Sequence, residues 1–217
     1  MKKAARTITI EIRRFYNKVA AKYDRTIAKD LSDKEWLQQF ADEIRKRGLI
    51  LDVGCGPGNF AEFLIKRGLS VVGVDISDEM IAIARKNVPR AEFIQCDCRH
   101  MNFKESSFDG ILAAYSLLHL PKADATGVIK LCEKFLKRGG VLALMMKDGA
   151  GEIRNKSKLS KGDTYYVCFW SMNELISLCN RLKLQTIAVD MGVPGSKLEI
   201  QRRKLFLLAR KVGRSSP

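Results

Sequence analysis

Ile50-Leu51-Asp52-Val53-Gly54-Cys55-Gly56-Pro57-Gly58-Asn59-Phe60 passes from a short apolar run through three closely spaced glycines into Phe60 to Arg67, which has helical spacing. An apolar run of this length bounded by glycine reads as a buried strand, so the unit is strand, loop, helix. Glycine tolerates positive φ and lets the backbone approach a ligand closely, so such a loop can wrap a small molecule. Asp75 lies 21 residues beyond Gly54, at the end of the next apolar run, Leu69 to Val74, where a carboxylate can accept both hydroxyl protons of a ribose. The loop departs from the dinucleotide fingerprint: its third glycine comes one residue early, and Pro57 before it has no N–H for a pyrophosphate. Asp52 widens the difference, because a carboxylate repels a pyrophosphate and attracts an ammonium group. The expected ligand has a ribose and a cationic end, and S-adenosylmethionine (SAM) has both.

Outward from this unit, strand and helix alternate. Ser77 caps a helix from Asp78 to about Asn87, Ala91 to Gln95 and Phe108 to Ala114 are strands, Ala123 to Lys137 is a helix ending at Gly139-Gly140, and Val141 to Met146 is a fifth strand. Strand-then-helix units in series predict an α/β, doubly wound, mostly parallel sheet with helices on both faces. Upstream, residues 5–29 read as an amphipathic helix with Ile12, Phe15, Val19 and Tyr23 on one side, and 1–30 is expected to form a helical cover. Ser32 and Glu35 form a capping box for a helix carrying Trp36, Phe40 and Ile44. Downstream, 147–164 is rich in Gly, Ser and Lys and reads as a long substrate loop. Extended chain from Thr164 to Trp170 leads to a second capping box at Ser171 and Glu174, and Leu184 to Asp190 and Lys204 to Ala209 are closing strands. No repeat or linker divides the chain, so 1–217 is expected to be a single domain.

The 217 residues carry 39 Lys and Arg against 24 Asp and Glu, a net +15. Residues 1–30 and 197–217 hold +6 each, leaving +3 for the 166 residues between, so the charge concerns an acceptor or docking partner more than the cofactor. Six scattered cysteines without a secretory leader read as free thiols of a cytoplasmic protein. The longest weakly polar run, Ile111 to Pro121, is too short for a membrane span, which argues against insertion. Cys96 and Cys98 lack a second pair at ligand spacing, so no metal is expected.

On these motifs the sequence resembles the class I SAM-dependent methyltransferases, especially the branch acting on quinone precursors and other small molecules. Leu51 to Gly58 has the form of that family's first motif, placing Asp52, Gly54, Cys55, Gly56 and Gly58 at the cofactor. Val72 to Ser77 resembles its second, implying Asp75 on the ribose and Ile76 against the adenine. Gln95 to Cys98 is similar to the segment in which an acidic side chain takes the adenine amino group, implying Asp97 and the Cys98 N–H. The Phe108 to Leu120 region implies Ala114 beside the methionine moiety, and Phe15 to Asp24 resembles the aromatic helix that covers SAM, implying Tyr23. The resemblance also implies a Rossmann-like sheet of seven strands, the last antiparallel.

Methyl transfer from a sulfonium releases a neutral leaving group, so alignment and exclusion of water carry much of the catalysis, and a base is needed only when the nucleophile loses a proton. His119, just past the fourth strand, is the candidate base, and a packed or capping histidine is the structural alternative; His100 reads as a surface residue. Tyr16, Tyr23, Tyr165, Tyr166 and Trp170 are either core or the lining of an acceptor pocket. The expected acceptor is a small molecule, with an anionic one in keeping with the charge. An RNA methyltransferase is the alternative suggested by the basic ends, although the segment after the fourth strand lacks the Asn/Asp-Pro-Pro-aromatic box of base-amine enzymes. A non-catalytic SAM-binding protein is the third reading.

Overall fold

The computed structural model describes residues 2–30 and 32–212. Seven strands form one sheet: β1 (Leu49–Val53), β2 (Ser70–Asp75), β3 (Glu92–Gln95), β4 (Phe108–Ala114), β5 (Leu136–Lys147), β8 (Leu184–Gly192) and β9 (Lys204–Lys211), in the order β3-β2-β1-β4-β5-β9-β8. The first five pair in parallel, while β9 runs antiparallel to both β5 and β8. The expected Rossmann-like sheet is therefore present, with the last strand as the reversed one. Helices α2 (Lys34–Asp42), α3 (Asn59–Ile65) and α4 (Asp78–Asn87) bury Phe40, Leu64 and Ile81 in the core on one face. On the other, α5 (Lys122–Phe135) and α6 (Met172–Arg181) pack Ile129 and Leu178 with Ile12, Phe15 and Val19 of α1 (Lys2–Arg25). Burying these apolar side chains supplies the main favourable free energy of the fold.

Strand order reverses between β1 and β4: the chain winds outward through β2 and β3, then crosses back to the other side of β1. The carboxyl ends of β1, β2 and β4 diverge at this switch point, where open α/β sheets bind ligands.

Three local expectations need correction. The segment 147–164 is not loop throughout, because β6 (Glu152–Lys156) pairs antiparallel with β7 (Thr164–Cys168) in a separate hairpin. β6 is almost wholly exposed and shows no apolar alternation, so its pairing rests on backbone bonds that leave no hydrophobic trace in the sequence. The fifth strand begins at Leu136: Phe108 pairs with Leu136 but Gly110 with Val141, so the extra residues form a bulge around Gly139, φ +77°. The Ser32 capping box does not form. Asp33 is the N-cap without a side-chain cap bond, because Ser32 Oγ and Asp33 Oδ1 accept instead from the Lys204 ammonium at 2.7 and 2.9 Å. The Ser171 and Glu174 box does form. Arg214, counted in the basic C-terminal segment, lies outside the described residues.

Candidate active site

Backbone builds the inner wall. After β1 the chain turns so that the N–H groups of Gly54 and Cys55 both donate to the Val74 carbonyl, at 2.7 and 3.0 Å. Gly54 and Gly56 have φ of +75° and +52°, the left-handed region that glycine adopts without steric cost. At Gly54 a Cβ would also stand 2.2 Å from Ser116 Cβ, and Ser116 Oγ donates to the Val53 carbonyl at 2.6 Å, so loop and β4 end are pinned together. Gly58 serves shape only: it caps α3 and is closed in by Val88 and Phe93. The Cys55 side chain departs from its expected place, because it turns into the core beneath α2, α3 and α4.

Asp75 ends β2 with its carboxylate fixed from two sides. Oδ2 accepts from Gly56 N–H at 3.0 Å and Oδ1 from Ser77 N–H at 2.8 Å. Burial raises its pKa and these donors oppose the rise. Each oxygen keeps a lone pair for a ribose hydroxyl. Asp52 is buried with no hydrogen-bond partner on either oxygen, and burial, with the nearby Asp75 charge, pushes its pKa up to about 7. Such an orphaned carboxylate under a glycine loop suits a ligand with a cationic end.

A cleft opens over this floor. Gly54, Gly56, Asp75, Ile76, Asp97, Cys98, Ala114, Tyr23 and His119 line it, whereas Asp52, Cys55 and Gly58 lie behind the wall. The Asp97 carboxylate is already engaged: Arg99 donates from its backbone N–H at 3.0 Å and from Nη2 at 2.6 Å, and reaches Asp124 at 3.0 Å. Burial raises the Asp97 pKa, but Arg99 outweighs it and the net shift is downward. Tyr16, Tyr115 and Ser116 line the cleft too, and so do Thr9 and Ile12, which were not expected as site residues. Tyr115 has φ +54°, which is strained for an aromatic residue and places its ring across the end of β4.

A second cleft adjoins the first and shares Tyr16, Tyr23, Tyr115 and His119 with it. Phe15 and Ile27 from the cover, Leu118, Leu159 and Tyr165 make it largely apolar. Among the aromatics weighed from the sequence, Tyr16, Tyr23 and Tyr165 therefore face a cleft, while Tyr166 and Trp170 are core.

His119 is buried at the shared wall. A carbonyl only accepts, so the 2.9 Å contact from Nδ1 to the Tyr166 carbonyl puts the proton on Nδ1. Nε2 is then bare and accepts from the Tyr16 hydroxyl at 2.6 Å. Burial pushes the His119 pKa down to about 4 against the Tyr166 carbonyl, so the ring is neutral. His119 thus lines both clefts with its bare nitrogen engaged by Tyr16.

Lys147 ends β5 beside the second cleft, and register pairs it with Lys204 of β9. Both are buried, and Glu199 and Asp33 neutralise them. Lys147 was expected only as the first base of the 147–164 substrate loop, and Lys204 not at all as a site residue; their pairing requires the β5–β9 register.

Residues 50–140 match the methyltransferase domain model. Demethylmenaquinone methyltransferase of Thermotoga maritima is 30% identical over 139 residues, 61% of this chain and 59% of that protein. Part of the chain, residues 50–140, is thus similar to the methyltransferase domain family. Trans-aconitate 2-methyltransferase of Enterobacter sp. is 39% identical over 105 residues, 48% of this chain and 40% of that protein. The chain thus spans less than two thirds of the length of these relatives. The Burkholderia thailandensis 1,6-didemethyltoxoflavin-N1-methyltransferase, solved with 1,6-didemethyltoxoflavin and S-adenosylhomocysteine, superposes with a TM-score of 0.76 at 17% identity, covering 96% of this chain and 91% of its own, a likeness of fold.

Proposed function

We propose that this chain transfers a methyl group from SAM to a small acceptor held in the second cleft. The observation that carries this reading is the shared wall: a ribose- and cation-compatible cleft and an apolar cleft meet at Tyr16, Tyr23, Tyr115 and His119. Asp75 takes the ribose hydroxyls, Ile76 packs on the adenine, Asp97 and the Cys98 N–H read the adenine edge, and Asp52 balances the cationic end. Bound SAM supplies an electrophilic methyl on a sulfonium.

The chain's own part is alignment and, for a protic acceptor, removal of a proton. Tyr16 and Tyr115 hold the acceptor in line and exclude water. The Tyr16 oxygen takes the acceptor proton as its own passes to His119 Nε2, so His119 acts through Tyr16. His119 would then carry the acceptor proton on Nε2 as imidazolium, and SAM, when bound, would supply the positive charge that leaves with the methyl group.

We further propose that the cover (1–30) and the β6–β7 segment, with Ser157, Lys158, Leu159 and Tyr165, enclose the acceptor. A small acceptor is favoured over RNA because Arg13 and Lys18 of α1 are engaged by Asp78 and Asp163 instead of being free for phosphates. No helix among the described residues is long and apolar enough to cross a membrane, and all six cysteines are free thiols, in keeping with a cytoplasmic location. Labelled-methyl transfer from SAM across fractionated metabolite and RNA extracts tests the reading. Label in small molecules is expected; label confined to RNA overturns the acceptor class, and SAM binding without turnover identifies a non-catalytic binder.

A further inference from the structure

Lys147 and Lys204 stand directly opposite each other on the antiparallel pair β5 and β9, each about 2% exposed. Like charges placed this way repel, and burying them costs several kcal/mol per ion unless the surroundings compensate. Asp33 holds Lys204 at 2.9 Å, and Glu199 serves both, at 2.5 Å from Lys147 and 3.6 Å from Lys204. Without Glu199, two ammonium groups would face one carboxylate, leaving a single positive charge beside the acceptor cleft.

Glu199 belongs to the irregular segment 193–203 between β8 and β9, whose Leu198 and Ile200 also line that cleft. Its remaining hydrogen bonds are local: Oε1 accepts from the N–H groups of Gly195 and Ser196, at 2.5 and 3.0 Å. Lifting this segment would break the ties of this carboxylate to the two lysines, together with the bonds that the Lys197 and Arg202 carbonyls accept from Lys158 and Lys147 at 2.7 and 3.4 Å, while the Glu199 carboxylate keeps its local N–H donors. On the other side of the lysines is Tyr115, its ring centroid 5.5 Å from Lys147 Nζ and 5.7 Å from Lys204 Nζ, within cation–π range. The Tyr115 hydroxyl is buried and faces Asp33 without a well-formed hydrogen bond, and its ring reaches the cofactor cleft.

Resting on the methyltransferase reading, we propose that the acceptor is an apolar-bodied monocarboxylate, and that its carboxylate replaces Glu199 on Lys147 and Lys204. Glu199 is then an internal stand-in that keeps the lysines paired until the acceptor arrives. One carboxylate restores neutrality where a dianion would exceed it, and Phe15, Leu118, Leu198 and Ile200 suit an apolar body. The lysine-bound carboxylate is the anchor, since ion pairing lowers its nucleophilicity; the attacking atom lies elsewhere on the acceptor, toward Tyr16.

Calorimetry of the S-adenosylhomocysteine-loaded protein with benzoate, 1-naphthoate and cyclohexanecarboxylate, each beside its primary amide, tests this. A carboxylate is expected to bind at least about tenfold more tightly than its amide, with a further gain of about tenfold in Glu199→Gln, which removes the competing carboxylate. Lys147→Met is expected to abolish the preference and Lys147→Arg to restore part of it. The Lys147→Met/Glu199→Gln double variant removes one charge of each sign and guards against an unpaired buried group. Amides binding as well as carboxylates, carboxylates binding neither wild type nor Glu199→Gln, or weaker carboxylate binding in Glu199→Gln would each overturn the proposal. Failure of S-adenosylhomocysteine to bind would instead sink the methyltransferase reading, and the carboxylate titrations on the unloaded protein would still report on the lysine pair.

Discussion

The two clefts that meet at Tyr16 are built from different materials. The one over β1 and β2 has a floor built by backbone: glycine N–H groups, a carbonyl, and a carboxylate held by two further N–H groups. The acceptor side is made of side chains from α1, the β6–β7 hairpin and the 193–203 segment, brought together from across the chain. Backbone geometry tolerates few sequences, whereas a side-chain cavity tolerates many. The first cleft should therefore break sharply on small changes, and the second should change specificity before it fails.

The largest effect is expected at Gly54. Gly54→Ala and Gly56→Ala both force a left-handed residue, costing about 1 kcal/mol or more. Only Gly54→Ala drives a methyl into Ser116, because nothing stands within 4 Å of a Cβ at Gly56. Calorimetry should show SAM affinity falling about tenfold or less in Gly56→Ala, where only the strain acts, and at least about 100-fold in Gly54→Ala, where the clash with Ser116 brings the total to about 2.7 kcal/mol or more. Adding Ser116→Gly to Gly54→Ala should recover part of the loss. Equal losses at the two glycines would mean that the loop is not a close-packed cradle.

On the shared wall, Tyr16→Phe and His119→Asn should each lower turnover of a protic acceptor about 100-fold, the usual range for losing a general base, with SAM affinity within about twofold of wild type. Turnover in the two variants should agree, and the double variant should be no worse than either, because the residues form one relay. Additive losses would separate them.

The backbone cleft was also the legible one. Asp52, the glycine triplet and Asp75 are close in sequence, and their spacing alone implied a ligand with a ribose and a charge. Tyr115 was not legible, since nothing in Ala113-Ala114-Tyr115-Ser116 announces a positive φ. Lys147 read as the first base of a loop; only its register opposite Lys204 shows it to be a buried strand residue. β6 was hidden because an exposed strand carries no apolar period, and the Ser32 cap was misread because Lys204, 172 residues away, competes for the same hydroxyl. Local chemistry was readable wherever its partners lay within one strand-loop-helix unit, and failed where a distant residue supplied the partner.

A smaller effect concerns charge. Asp52, with its pKa near 7, is half-ionised at neutrality, and the cationic end of SAM favours the ionised form. SAM affinity should therefore rise a few-fold from pH 6 to 7.5 and stay flat in Asp52→Asn. Stability gives an independent reading. A carboxyl raised from 3.8 to about 7 contributes stability at low pH that is lost as pH rises toward 7; a histidine lowered from 6.5 to about 4 contributes stability above 6.5 that is lost as pH falls toward 4. The two oppose each other between pH 4 and 6.5. Removing Asp52 should expose the histidine's acid sensitivity, so the melting temperature of Asp52→Asn should drop relative to wild type as pH falls through that window.

The smallest effect is expected on the outside of the acceptor cleft. Lys18 reaches Asp163 at 2.6 Å and Lys22 donates to the Leu159 carbonyl at 2.8 Å, so two bases of α1 tie the cover to the segment between β6 and β7. The Lys18 pair is exposed, where solvent and salt screen such attractions. Lys18→Gln should therefore speed acceptor release by about twofold at low ionic strength, and 0.5 M salt should erase the difference from wild type. The same salt step should leave SAM release nearly unchanged, because Asp75 is held by buried backbone donors instead of surface ions. Salt sensitivity on the acceptor side alone would confirm that side chains close one cleft and backbone the other, whereas equal sensitivity on both sides would mean that the cover guards the two ligands as one lid.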